Sequence, residues 1–427
     1  MERLIKPLSK LSGRVLVPPD KSITHRALIL SALAEGTSTI ETPLEAEDCR
    51  STAHGLQSLG CQIDFQPKQW TVKGRGLWGL MKPRGPLDCG NSGTTMRLLS
   101  GLLAAQDFVT DLTGDASLCK RPMDRVARPL EQMGARMTMT GGKFPPLTIN
   151  GTRNLKPIDW KNPVSSAQVK SAVLLAALHT IGETIYEEPF LSRDHTERML
   201  SACGVNVRRE GARIRLAGPA RLKAQTWRVP GDFSSAAFFI AAALLVKESH
   251  VTLESVNLNP TRTGFLSVLT AMGAAIDVAN SNDVGGEPVG NVIVRGPARL
   301  KGITLKKADV PHLIDEIPLL AVVATQAQGT TVLDDVGELR VKESDRIHAM
   351  VQNLSSMGAS IKETETGMII AGPTPLHGAV VDSCCDHRIA MSMAVAGLIA
   401  SGETHINQCE CVSISFPQFW ETLDTLK

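Results

Sequence analysis

The sequence lacks a dominant sign of charge, a long apolar run and a cysteine framework, and each absence removes a class of function. Of its 427 residues, 45 are Lys or Arg and 43 are Asp or Glu, a formal net charge of +2. So small an excess gives no case for bulk nucleic-acid binding, and any positive field must be local. The longest strongly apolar stretch, Ala236 to Val246, is too short to span a bilayer. The opening residues Met1-Glu2-Arg3-Leu4-Ile5-Lys6 hold no apolar core of the secretory kind. The nine cysteines are odd in number and scattered. Cys384-Cys385 and Cys409-x-Cys411 invite a metal, but no second pair at zinc-like spacing and no histidine partners accompany them. The expectation is small buried thiols in a reducing cytoplasm, with no metal, cofactor, nucleic acid or membrane as partner.

What is present is an ordinary globular composition, 43% hydrophobic and 21% charged, long enough for two domains. The chain also repeats itself. A small-residue apolar helix, a polar break and an alternating strand begin at Arg26 (RALILSALAEGTSTIETP) and, more loosely, at Thr95. The same pattern recurs from Val169, Ser234, Glu316 and His387. A second signature alternates with the first, an amphipathic helix closed by glycine at Gly60, Gly134, Gly204, Gly273 and Gly358. Glycine there suits a left-handed helix C-cap. The period is roughly 70 residues, giving about six copies of a two-helix, multi-strand unit. Three copies per domain is the natural division, with crossings near Val17-Pro18-Pro19-Asp20 and Val229-Pro230-Gly231-Asp232. That predicts a domain of residues 19–230 inserted into one made of 1–18 and 231–427.

Polar clusters open the first helix of each copy: Lys21, Ser22 and Arg26; Asn91-Ser92-Gly93-Thr94; Ser165, Ser166, Gln168 and Lys170; Asp232 and Ser234; Asp315; and Asp386-His387-Arg388. Helix N-termini present unpaired N–H groups and a partial positive charge, which suits phosphate or carboxylate. Ser, Thr and Asp at such positions are also ordinary caps. Only their recurrence beside Lys and Arg, together with Lys120-Arg121 and the Gly337–Arg346 charge run, favours a cleft that holds anions. His387 beside Asp386 reads as a structural hydrogen-bonding residue.

In order along the chain stand DKSITHR (Asp20–Arg26), LDCGNSGTTMRLL (Leu87–Leu99), GDASLCKRPMDRV (Gly114–Val126), SSAQVKSAVLLAAL (Ser165–Leu178) and SRDHTERML (Ser192–Leu200). PGDFSSAAF (Pro230–Phe238), NPTRTG (Asn259–Gly264), IDEIP (Ile314–Pro318), ELRVKESDRI (Glu338–Ile347), DHRIAM (Asp386–Met391) and SFP (Ser415–Pro417) follow. Together these closely resemble the 5-enolpyruvylshikimate-3-phosphate synthase family, nearly end to end, in wording similar to its class II bacterial branch. The resemblance implies an enzyme of chorismate and aromatic amino acid biosynthesis. It moves the enolpyruvyl group of phosphoenolpyruvate to the 5-hydroxyl of shikimate 3-phosphate and releases phosphate. It implies a two-domain inside-out α/β barrel, each domain three βαβαββ repeats, with the active site in the interdomain cleft, and a cytoplasmic monomer. By the same resemblance Lys21, Ser22, Arg26, Ser166, Ala167, Gln168, Arg193, Asp315 and Lys342 would hold shikimate 3-phosphate. Lys21, Gly93, Arg121, Gln168, Arg346 and Arg388 would hold phosphoenolpyruvate. Asp315 and Glu343, with Lys21, would be catalytic, Asp315 taking the hydroxyl proton and Glu343 protonating the methylene carbon. Lys342 and Arg346 should lower the pKa of Glu343, and bound anions with cleft closure should raise it again.

Two departures stand out. Pro19 replaces the glycine that the family usually carries, which fixes φ and removes an N–H, so slower closure is expected. Ile414 stands where many class I members have a lysine before the Phe-Pro motif. Gly93 leaves room where a methyl would crowd the longer inhibitor glyphosate. The nearest enzymatic rival is a UDP-N-acetylglucosamine enolpyruvyl transferase, whose loop cysteine would align near Ala116; Cys119 is displaced from that place. A second rival is a non-catalytic anion-binding protein on the same scaffold.

Overall fold

The computed structural model of this chain describes residues 1–426, which form two compact units. The central unit is Pro19–Val229 with the short segment Val284–Glu287; the terminal unit is Met1–Pro18, Pro230–Asp283 and the chain from Pro288 onward. The chain therefore passes between units at Pro18-Pro19 and again at Val229-Pro230.

The central unit holds α1 (Lys21–Leu33), α2 (Glu47–Ser58), α3 (Gly93–Ala104), α4 (Asp124–Met133), α5 (Ala167–Ala177) and α6 (His195–Ala202). The odd-numbered helices are rich in small and apolar residues and buried almost residue for residue, polar side chains included. Small residues make that burial possible. A Cβ on Gly101 of α3 would stand 2.2 Å from the carbonyl oxygen of Ala172 in α5, so the two backbones touch. The even-numbered helices are amphipathic, and Gly60, Gly134 and Gly204 follow them at positive φ, closing each as the sequence predicts.

Each copy in this unit carries a four-stranded sheet of one design. Leu87–Asp88 runs parallel to Val109–Thr113, which is antiparallel to Phe144–Asn150, itself antiparallel to Arg136–Thr140. Asp159–Lys161, Gly182–Glu187, Arg213–Gly218 and Val207–Glu210 repeat that order. In the first copy the parallel edge strand comes from the far end of the unit: Thr226–Arg228 pairs with Thr37–Glu41, which leads on to Gln69–Lys73 and Gln62–Gln66. The chain thus closes its own ring of repeats.

The terminal unit holds α7 (Phe233–Leu245), α8 (Gly264–Ala271), α9 (Val310–Leu313), α10 (Ile317–Thr325), α11 (Arg346–Ser356), α12 (His387–Ile399) and α13 (Phe419–Asp424). Here α7, α10 and α12 are the buried helices. The fourth copy is complete: Ser12–Leu16 is parallel to His250–Asn257, followed by Glu287–Arg295 and Ile276–Val284. The fifth copy is reduced. Its parallel edge survives only as bridges of Lys301 to Gln328 and Thr304 to Val332, beside a three-stranded sheet. In the sixth, Val380–Asp382 pairs parallel with Thr404–Asn407, and the N-terminal strand Arg3–Ile5 takes the antiparallel place. Phe416 of the SFP motif packs on Phe239 and Phe419, at ring separations of 5.9 and 5.6 Å, so that motif serves the core.

Two expectations are corrected. Asp315 does not cap a helix: it lies in a 3-10 turn, Ile314–Glu316, between α9 and α10, so the fifth helix begins a turn early at Val310. Cys384 and Cys385 are exposed, both at positive φ in the turn before Asp386, whereas six other cysteines are buried. No helix among the described residues is long and apolar enough to cross a membrane.

Candidate active site

In the central unit the helix caps form as local chemistry dictates. Asp20 accepts from the N–H of Ile23 at 3.0 Å, Ser92 from Thr95 at 3.1 Å and Ser166 from Val169 at 3.4 Å. Lys21 opens α1 and is held by Asp48 of α2 at 2.8 Å. Arg26, one turn on, is buried. It donates to the carbonyl of Ser22 at 2.9 Å, to Thr196 Oγ1 at 2.7 Å and to Ser171 Oγ at 2.8 Å, all neutral oxygens. Burial pulls its pKa down to about 10, even though Glu197 and Asp20 act to raise it. A buried guanidinium on neutral partners is a strong field for an anion.

Gly93 is the first residue of α3, and a Cβ there would meet Arg97 Nη1 at 3.1 Å and Arg121 Nη1 at 3.5 Å. Arg97 donates to Gln168 Oε1 at 2.6 Å, and Gln168 donates onward to Thr94 Oγ1 at 3.0 Å. Arg121 donates to Asn91 Oδ1 at 2.7 Å and Ser117 Oγ at 3.2 Å. Gly93, Arg121 and Gln168 are thus gathered around Arg97, which motif LDCGNSGTTMRLL contains but to which sequence reasoning gave no role. Its position one helical turn after Gly93 is the pattern that could have marked it.

Lys170 is corrected. Grouped by sequence with the anion-holding cations, it is fully buried and paired with Glu188 at 3.1 Å and Glu197 at 2.8 Å. Burial alone would lower its pKa, but those two carboxylates raise it overall. Its charge is already answered. Ser22, Ala167 and Arg193 lie at or beside the same helix ends, and Arg193 is near enough to Arg26 to act on its pKa.

In the terminal unit the charges pair off. Arg346 is almost fully buried: its Nε donates to Asp386 Oδ2 at 2.7 Å, and its Nη2 to Glu343 Oε2 at 2.7 Å. Nη1 stands 3.5 Å from Asp315 Oδ1. Burial would lower its pKa, yet Asp386 and Glu343 drive it well above the usual arginine value. Arg388 donates to the carbonyl of Asp315 at 3.0 Å and approaches Glu316 at 3.5 Å. Lys342 turns to Glu338 at 3.0 Å. So Asp315, Glu343, Arg346 and Arg388 converge, with Lys342 one residue from Glu343.

Sequence reasoning missed Arg262 and Glu316 here. Arg262 donates to Asp232 Oδ1 at 2.9 Å and Ser234 Oγ at 2.6 Å, at the start of α7. Burial acts to raise the pKa of Asp232, but Arg262 and Arg388 outweigh it and hold it below the ordinary value. Glu316 accepts a short hydrogen bond from Ser234 Oγ. Both residues stand inside NPTRTG and IDEIP, but nothing in those strings says which partner each finds.

Comparison with known proteins follows the same lines. Residues 5–423 match the model of the EPSP synthase (3-phosphoshikimate 1-carboxyvinyltransferase) family. The chain is 49% identical over 430 residues to a 3-phosphoshikimate 1-carboxyvinyltransferase of Thermodesulfovibrio yellowstonii, covering 100% of each. Against the enzyme of that name from Bacillus thuringiensis it is 49% identical, covering 100% of this chain and 99% of the relative. A solved EPSP synthase structure from Acinetobacter baumannii superposes with a TM-score of 0.88 at 44% identity, covering 100% of this chain and 98% of that one.

Proposed function

Since the chain belongs to the EPSP synthase family, we propose that its helix-end clusters divide the two substrates and the proton transfers of that family's reaction among them. The chain transfers the enolpyruvyl group of phosphoenolpyruvate to the 5-hydroxyl of shikimate 3-phosphate and releases phosphate, in aromatic biosynthesis. Lys21, Ser22, Arg26, Ser166, Ala167, Gln168, Arg193, Asp315 and Lys342 hold shikimate 3-phosphate. Lys21, Gly93, Arg121, Gln168, Arg346 and Arg388 hold phosphoenolpyruvate. Each phosphate or carboxylate then meets cations through charge-assisted hydrogen bonds, worth about 1.5–3 kcal/mol apiece.

The chemistry is addition followed by elimination. Asp315 takes the proton of the 5-hydroxyl as its oxygen bonds to C2 of phosphoenolpyruvate, and Glu343 gives a proton to C3, leaving a tetrahedral ketal with a methyl group. C3 then returns a proton to the Glu343 carboxylate, the C2–O bond to phosphate breaks, the double bond returns and phosphate leaves. The observation that supports this best is Arg346, whose guanidinium reaches Glu343 at 2.7 Å and Asp315 at 3.5 Å. One buried cation fixes both proposed proton carriers. Buried thiols at Cys61, Cys89, Cys203, Cys409 and Cys411, outside any disulfide, support a reducing, cytoplasmic setting.

The test is phosphate release from phosphoenolpyruvate by the purified protein, with shikimate 3-phosphate and separately with UDP-N-acetylglucosamine. Release is expected only with shikimate 3-phosphate. Release with the nucleotide sugar, or with neither acceptor, overturns the reading.

A further inference from the structure

Beneath the N-terminus of α5 lies a buried carboxylate that makes five hydrogen-bond contacts with four donor atoms. Glu188 Oε1 accepts from Lys170 Nζ at 3.1 Å, from the backbone N–H of Ser192 at 2.7 Å and from Ser192 Oγ at 2.8 Å. Oε2 accepts from the backbone N–H of Ser166 at 3.1 Å and again from Ser192 Oγ at 2.9 Å. The Glu188 side chain is 0% exposed. Lys170 Nζ also donates to the carbonyl of Ser192 at 3.1 Å, so Ser192 is gripped at N, Oγ and O.

Lys170 does not depend on this carboxylate alone, since Glu197 Oε1 also meets its ammonium at 2.8 Å. A second buried carboxylate on one ammonium is costly unless its oxygens are fully hydrogen-bonded. They are, and two of the donors are main-chain N–H groups of segments far apart in sequence. Ser166 caps α5, with Ala167 and Gln168 next in the chain. Ser192 immediately precedes Arg193. One rigid carboxylate thereby sets the spacing between the two.

We propose that Glu188 is a positioning residue for acceptor binding: it fixes the α5 N-terminus against the Ser192-Arg193 segment at the separation that shikimate 3-phosphate requires. The inference rests on the reading that Ser166 and Arg193 hold that substrate. Glutamine is the informative replacement, because its amide must turn a donor toward the Ser166 N–H, or toward Lys170 and the Ser192 N–H. Either way one segment is released.

The experiment is steady-state kinetics of Glu188→Gln in the full chain, with Glu197→Gln and Arg193→Ala beside it. Glu197→Gln disturbs the same cluster through Lys170 without touching Ser166 or Ser192. For Glu188→Gln the expected result is a KM for shikimate 3-phosphate raised about tenfold or more, with kcat and the KM for phosphoenolpyruvate within about threefold. Glu197→Gln should leave the acceptor KM within about twofold. Equal KM effects in the two glutamine variants, or none in Glu188→Gln while Arg193→Ala raises the acceptor KM, overturn the positioning role. An unchanged acceptor KM in Arg193→Ala would instead overturn the assignment of Arg193 on which it rests. Should Glu188→Gln not fold, Ser192→Ala keeps the carboxylate and removes one donor. A raised acceptor KM there supports the proposal, and an unchanged one contradicts it.

Discussion

Gly93 and Arg97 are one helical turn apart in α3, and a Cβ on the glycine would stand 3.1 Å from Arg97 Nη1. Gly93 is not at positive φ, so alanine meets no backbone strain there. Its methyl instead presses the Arg97 guanidinium, while Arg121 Nη1, 3.5 Å away, is in ordinary van der Waals contact. Gly93→Ala is expected to raise the KM for phosphoenolpyruvate by roughly three- to tenfold, the range of mild overpacking. The KM for shikimate 3-phosphate should stay within about twofold. Initial-rate kinetics with each substrate varied in turn check this.

Arg262 offers a stability test. Its side chain is 3% exposed and bonds Asp232 at 2.9 Å. Arg262→Met keeps the bulk but leaves Asp232 buried without that cation, at an expected cost of about 3–5 kcal/mol. By contrast Arg295 and Asp277 are 60% and 64% exposed, although they pair at 2.6 Å. Arg295→Ala should cost under about 1 kcal/mol. Urea unfolding of both variants compares the two directly.

His25 gives the sign of a pH dependence. It is buried against Thr52 Oγ1 at 2.7 Å, and burial, then Lys21 and Arg26, hold its pKa well below 6.5. The folded chain therefore refuses a proton that the unfolded chain accepts below pH 6.5. Stability from this group is complete above that pH and falls below it by about 1.4 kcal/mol per pH unit. His25→Asn should lose about 3–5 °C less in Tm than the parent between about pH 7.5 and about pH 5.5. Equal losses would show that the imidazole does not carry the effect.

Local chemistry made much of the fold legible in the sequence. Small-residue runs mark the buried helices, and Asp20, Ser92, Ser166, Asp232 and Asp386 cap five of them through their own side chains. The glycines closing the outer helices needed only their φ. What sequence could not show were pairings made at long range. Lys21 finds Asp48, while Lys170 finds Glu188 and Glu197, so two lysines at similar helix ends take different parts. Arg97 and Arg262 sit within motifs on which the resemblance rests, yet their partners come from other helices. The shortened fifth copy also escaped, because its edge strand is reduced to bridges at Lys301 and Thr304.

Glu343 is the proposed proton donor to the methylene carbon, and Glu343→Gln removes that proton. Glutamine can still accept a hydrogen bond from Arg346, which reaches Glu343 Oε2 at 2.7 Å, but has no proton to transfer at the working pH. Turnover is followed in D2O by proton NMR of the enolpyruvyl methylene. The parent enzyme should incorporate deuterium there, and Glu343→Gln should lose about 10²–10⁴ in kcat together with that incorporation. Full turnover with normal deuterium incorporation in Glu343→Gln would contradict that role.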